Sequence, residues 1–217
     1  MKRNFLLLIL LVPLLSFISD PIVYIRSHDK IEKLLVFSPV SRISVLGKGR
    51  KHRVDSGLSA KAFHIVENQL QKIFPDSIGH KYFSPDSIQR VAIDNFVIKA
   101  NNKLLNSTQV SHYKVPDSII QIFSTANANF VFCISNTGFF RTYQNLTGSH
   151  MAGAAVGLVS EFGWNPIASG STISCFILDL NKKNIIFFER ETWEDRDPTD
   201  PDLINLQLTR VLNHCFL

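Results

Sequence analysis

The stretch from Asn129 to Arg190 constrains this chain more than any other. Phe130, Phe132 and Ile134 alternate with Val131, Cys133 and Ser135, so both faces of this segment begin apolar. That pattern suits a central strand covered on two sides. Ser171 to Leu180 and Asn184 to Arg190 follow as two further apolar runs, separated by a polar turn at Asn181, Lys182 and Lys183. Two such runs joined by a short polar turn predict an antiparallel hairpin. Three strands of one sheet therefore set the architecture, and the helical patterns around them must supply its cover.

Those patterns are clear. Phe63, Val66, Leu70 and Ile73 or Phe74 recur at three- and four-residue steps, predicting a helix from Ser56 to Phe74. Ser56 or Asp55 can cap it, and Pro75 ends it. Ser84, Pro85 and Asp86 predict a second start, with Ser84 as cap, and a helix running to about Leu104. Val115 to Ser118 opens a third, ending near Ala126. Asp200 and Pro201 open the last, with Ile204, Leu208, Val211, Leu212 and Cys215 on one face. Lys33 to Pro39 reads as a first strand and Arg42 to Leu46 as a short second one. Because helices separate Lys33–Pro39 from Asn129–Ser135, a crossover should place these two parallel. The expected fold class is α/β (α+β): a central mixed sheet of four to five strands packed by helices, with a C-terminal β-hairpin and closing helix.

The amino terminus adds a compartment. Lys2 and Arg3 precede a 14-residue apolar run from Phe5 to Ile18. A run that short fits an export-signal core better than a membrane span. Residues 1–19 are thus a signal peptide or N-terminal anchor, and 20–217 a single α/β domain. No Cys follows the run, so a lipid anchor is not encoded there. Discounting Lys2 and Arg3 leaves 21 basic against 18 acidic residues. That excess is too small for a generic nucleic-acid binder. Cys133, Cys175 and Cys215 form no CxxC pair, and the first two sit in apolar strands, so buried thiols are expected.

No polar motif names a reaction. Gly47 to Arg53 carries four Lys or Arg in seven residues but lacks both phosphate-loop glycine spacings. It reads as a solvated connection. Glu189 to Asp202 holds seven carboxylates and two Arg. They lack the Gly-centred calcium-loop spacing, and two adjoin Pro as helix-entry residues do. A solvated loop with helix caps accounts for them; a carboxylate- or metal-dependent hydrolase is the alternative. GxSxG and HExxH are absent, so no catalytic residue, metal or cofactor is assigned.

The connection from Gly148 to Pro166 stands apart. It joins two strands of one sheet, yet is far longer than a hairpin needs. It is not polar enough for a simple disordered loop, carrying Met151, Val156, Leu158, Phe162 and Trp164. These five are the candidate partner-binding residues, facing an envelope protein or a second copy. A membrane-surface contact is the other use open to them.

Val115 to Ile134 runs as helix, residue pair, apolar strand; Ser174 to Phe188 runs as a strand ending in Asp, a turn, then a strand. In this order the chain resembles the small α/β bacterial envelope lipoproteins from Lys33 to Phe216. That group includes the curli-secretion lipoprotein's periplasmic domain, the lipoprotein activator of penicillin-binding proteins and the amino-terminal domain of TolB. The resemblance implies a non-enzymatic exported protein of the periplasm or cell envelope that binds a partner or builds an assembly. No catalytic residues carry over. The missing lipobox Cys departs from the group.

Overall fold

The computed structural model describes residues 31, 34–47, 51–74, 79–105, 110–143, 145 and 167–216. The leader and the 148–166 insert, with Met151, Val156, Leu158, Phe162 and Trp164, lie outside the described residues.

Seven strands form one mixed sheet. They are β1 (Leu34–Phe37), β2 (Val40–Leu46), β3 (His52–Val54), β4 (His80–Phe83), β5 (Phe130–Arg141), β6 (Ser169–Asp179) and β7 (Asn184–Glu194). The helices are α1 (Ser56–Ile73), α2 (Ser87–Leu104), α3 (Asp117–Ser124) and α4 (Pro201–Phe216), with a 3-10 turn at Val110–His112. The centre is β5. Antiparallel β6 lies along one side of it, and β7 pairs antiparallel with β6 as the expected hairpin.

The other side of β5 is shared by two strands in succession, both parallel to it. Leu34–Val36 pairs with Phe130–Phe132, and Val40–Leu46 pairs with Ser135–Arg141. The parallel placement expected for the first strand is what the chain adopts. Between the two, β1–β2 advances from Val36 to Val40 while β5 advances only from Phe132 to Ser135. The surplus residue falls beside Pro39, which has no N–H to offer a ladder. Arg90 of α2 holds this kink: its Nη2 donates to the Pro39 carbonyl at 2.8 Å, and its guanidinium lies 4.8 Å from the Phe37 ring centre. Asp94 pairs with Arg90 at 2.8 Å. Burial raises the Asp94 carboxyl pKa, with Arg90 pulling it the other way.

Both faces of the lower half of β5 are covered. Val131 and Cys133 point with Leu35, Phe37, Phe176 and Leu178 into a core under α2 and α3. Phe132 and Ile134 point with Leu34, Val36, Ile173, Ile177 and Phe187 into a second core under α1 and α4. Phe132 packs against Phe74 at 5.6 Å and Phe216 at 5.8 Å, so one ring ties the ends of two helices to the central strand.

Several expectations are revised. The sheet has seven strands, not four or five, because β3 and β4 are short edge strands of three and four residues with no apolar alternation. The cap of α2 is Asp86, not Ser84. Asp86 Oδ1 accepts from Gln89 N at 2.8 Å while Gln89 Oε1 accepts from Asp86 N at 3.3 Å, a reciprocal pair Ser84 is placed too early to make. Of the two caps offered for α1, Asp55 is the one used, accepting from Leu58 N at 2.9 Å. Strand β7 runs on to Glu194, into the acidic stretch read as a loop.

Phe132→Ala should cost about 3–5 kcal/mol, as aromatic truncations in closed cores do. Urea unfolding measures it; an equal loss for the same change at half-buried Phe139 would contradict this account of the core.

Candidate functional site

The residues lining the sheet change character halfway along β5. Ser135 Oγ and Ser174 Oγ lie 2.9 Å apart, and Ser174 Oγ donates to Asn101 Oδ1 of α2 at 2.8 Å. All three residues are buried. Beyond this seam the face that α2 and α3 cover lower down continues as Arg42, Thr137, Thr172 and Thr192 in one row, then Ser44, Phe139, Gly170 and Glu194 in the next. Thr137, Phe139 and Thr172 are half-buried, and Arg42, Thr192 and Glu194 are exposed. An open groove of about 390 Å³ lies here, lined also by Leu46, His52 and Ile167.

Two glycines shape its floor. A Cβ on Gly170 would lie 2.7 Å from Phe139 Cε1, so glycine lets the Phe139 ring lie across the neighbouring strand. A Cβ on Gly138 would meet Pro198 Cβ at 2.4 Å and the Gly170 carbonyl at 2.7 Å on the opposite face. That face remains closed at this level. Gln207 of α4 is buried there; its Oε1 accepts from Ser171 Oγ at 2.8 Å, and its Nε2 donates to the Ser171 and Glu191 carbonyls at 3.2 and 3.1 Å.

Both ends of the 148–166 insert are fastened beside the groove. Arg141 N donates to the Ala168 carbonyl at 2.8 Å and Thr142 N to the Leu46 carbonyl at 3.0 Å. Asn145 Nδ2 donates to the Gly47 carbonyl at 2.7 Å, and Ala168 N to Asp195 Oδ1 at 2.7 Å. The basic stretch thus meets the insert's first stalk, and the acidic stretch its second.

The carboxylates of 189–202 are spent separately. Glu189 and Glu191 point towards α4, where Glu189 lies 3.6 Å from His214 and Glu191 takes Arg210 at 2.6 Å and Trp193 Nε1 at 2.9 Å. Asp197 Oδ1 accepts from Thr199 N and Oγ1 at 2.6 and 2.8 Å, and Asp200 Oδ1 from Asp202 N at 2.9 Å. Among the described residues no group of three His, Cys, Asp or Glu is placed to hold a metal ion. His64 is exposed against Phe63, at 5.2 Å between ring centres. Trp193 lies under the Arg210 guanidinium at 5.0 Å. The three thiols are free and buried, and burial drives the Cys133 and Cys175 pKa values far above the ordinary thiol range. Neither is a nucleophile at neutral pH. The groove itself was missed in sequence reasoning; its signal was the polar run Ser135 to Thr137 inside an apolar strand.

No family model matches the chain. No curated protein matches it either. Solved structures with a similar order of elements include the PelC dodecamer from Paraburkholderia phytofirmans, 12% identical over 91% of this chain and 92% of that one, TM-score 0.37. Lipoprotein GNA1162 from Neisseria meningitidis is 14% identical over 84% and 96%, TM-score 0.34. The LpoB C-terminal domain from Salmonella enterica is 10% identical over 77% and 86%, TM-score 0.31. The envelope-lipoprotein group that the sequence resembles is thus represented among them. At TM-scores below 0.5, none of these likenesses carries a function to this chain.

Gly138→Ala should cost about 1–3 kcal/mol, because a proline ring and a backbone carbonyl must both move. Gly170→Ala should cost less, because the Phe139 ring can swing into the open groove. Chemical denaturation ranks the pair, and the reverse order would refute this geometry. A disulfide reagent should find no thiol in the folded protein and all three after denaturation; prompt reaction of the native protein would contradict the burial.

Proposed function

We propose that the chain is a non-enzymatic exported envelope protein, read as a signal peptide or anchor at 1–19 and one domain at 20–217, which binds another envelope protein or assembles with copies of itself. The contact is made by the insert, through Met151, Val156, Leu158, Phe162 and Trp164, with the open sheet face at its base. The observation that carries this reading is the fastening of both insert stalks to the sheet beside a groove that no described residue covers. Loops held that way are where binding surfaces are usually built. The insert's apolar residues are of the kind that anchor partner interfaces. No cofactor, metal or nucleic acid enters this reading. Among the described residues no helix is long and apolar enough to cross a membrane.

Replacing Ser149–Asn165 by a short Gly-Ser linker tests the contact. The variant should fold, with an unchanged far-ultraviolet spectrum, and should lose the envelope proteins that chemical crosslinking joins to the parent. A variant that does not fold assigns the insert to the core. One that folds and keeps every crosslinked partner places the contact elsewhere. Cell fractionation with sequencing of the mature amino terminus tests export, which a cytoplasmic product beginning at Met1 would refute.

A further inference from the structure

The open half of the sheet ends in two edges of opposite charge. Its strand order is β3-β2-β5-β6-β7; β3 is bonded only to β2 among the described strands, and the outer side of β7 meets Tyr113 and Lys114 only at its far end, at Asn184 and Ile185, away from Glu194. At the first edge Lys51 leads into His52 and Arg53, all exposed, and none of these side chains has a partner among the described residues. At the other edge β7 ends on Glu194, exposed and likewise without a side-chain partner among the described residues. Exposed Asp195 and Asp197 follow it, while the basic Arg196 is turned onto the Trp193 ring at 6.0 Å.

These edges cannot neutralise each other within one molecule. Four inter-strand steps of about 4.8 Å put them roughly 19 Å apart. That exceeds the screening length of about 8 Å at physiological salt. An uncovered strand edge is also a template for another chain, and a protein that avoids self-pairing guards its edges with charge. Edges of one sign would hold copies apart. Here the signs are opposite, so the guard against self-pairing is missing and the two edges complement each other between molecules.

We infer that copies of this chain dock head to tail, the basic β3 edge of one against the acidic end of β7 in the next. Different patches meet in such a contact, so each copy keeps one open edge and assembly continues past a dimer or closes into a ring. This rests on the self-association reading of the function proposed above, but moves that contact from the insert to the strand edges and leaves the insert to another envelope protein.

Sedimentation velocity on the purified full chain tests it. The parent should assemble at low ionic strength and come apart at high. Lys51→Glu with Arg53→Glu should raise the apparent dissociation constant at least about tenfold, and so should Thr192→Lys with Glu194→Lys, since each places like charges face to face. An equimolar mixture of the two variants should assemble again, because their reversed edges match one another. A parent that stays monomeric at low ionic strength overturns the inference. So do variants that assemble like the parent, or a mixture that stays monomeric. The substituted side chains are exposed; should either variant melt early, Lys51→Gln with Arg53→Gln and Glu194→Gln replace the reversals, each expected to weaken assembly and overturning the inference if it does not. The Ser149–Asn165 replacement should leave sedimentation unchanged. Loss of partner crosslinks with assembly intact, or the converse, therefore separates failure of this inference from failure of the insert contact.

Discussion

Everything in this fold depends on β5 being hydrogen-bonded along both sides, with one break at Cys133 and Ile134. On one side a single long strand, β6, does the work from Phe130 to Phe140. On the other, no single strand does. β1 serves the lower part and β2 the upper, and the chain passes between them through a kink at Pro39. A straight β1–β2 strand would carry the same neighbours from end to end. The kink instead gives each half its own: β4 lies beside β1, and β3 beside β2. Arg90 is therefore more than a surface cation. It satisfies the Pro39 carbonyl where the ladder is interrupted, and its guanidinium caps the Phe37 ring beneath.

The division into halves decides what each can do. Below the kink the sheet is covered on both faces, and apolar burial is the main stabilising term. Above it α4 and Pro198 still close one face, while among the described residues the other is open. The change is marked by buried hydroxyl and amide groups, which persist in a core only when hydrogen-bonded. Ser135, Ser174 and Asn101 satisfy one another on the face that opens; Ser171 and Gln207 do so on the face that stays shut. A leucine at 101 would leave the two serines without their acceptor at the boundary of the core. The polar centre of β5 thus belongs to neither a weak strand nor a catalytic group. It is the seam where packing gives way to a surface.

Much of this was legible in the sequence, and the exceptions have physical reasons. Strands β5 and β6 declared themselves because both faces of their lower halves are buried, which produces apolar runs, and β7 through the apolar Ile185 to Phe188. Helices α1 and α4 did so because each buries one stripe. Strands β3 and β4 carry no such signal. His52, Arg53 and Val54 are all exposed, and their pairing with β2 is fixed by tertiary context rather than by side-chain pattern. The cap of α2 was missed because Ser84, Pro85 and Asp86 all suit a helix start, and only Gln89, one turn on, distinguishes Asp86 from Ser84. The groove left only one trace in the sequence, the polar run Ser135 to Thr137. Its floor is made by Phe139 lying over Gly170, two residues separated by the entire insert and joined only by strand register.

The acidic stretch shows how a cluster in sequence can fail to be a cluster in space. Successive residues of a strand point to opposite faces. Glu189 and Glu191 therefore turn towards His214 and Arg210 of α4, while Glu194 falls on the groove face. Once the strand ends, Asp195 accepts from Ala168 N at the insert's second stalk, and Asp197 and Asp200 each accept a local backbone N–H. Their charge still adds up over distance. Summed along the end of β7 it makes one edge of the open half-sheet acidic, opposite an edge that Lys51 and Arg53 make basic. The stretch read as a solvated loop with helix caps does cap and does face solvent, and its charge is what the proposed contact with a second copy would use.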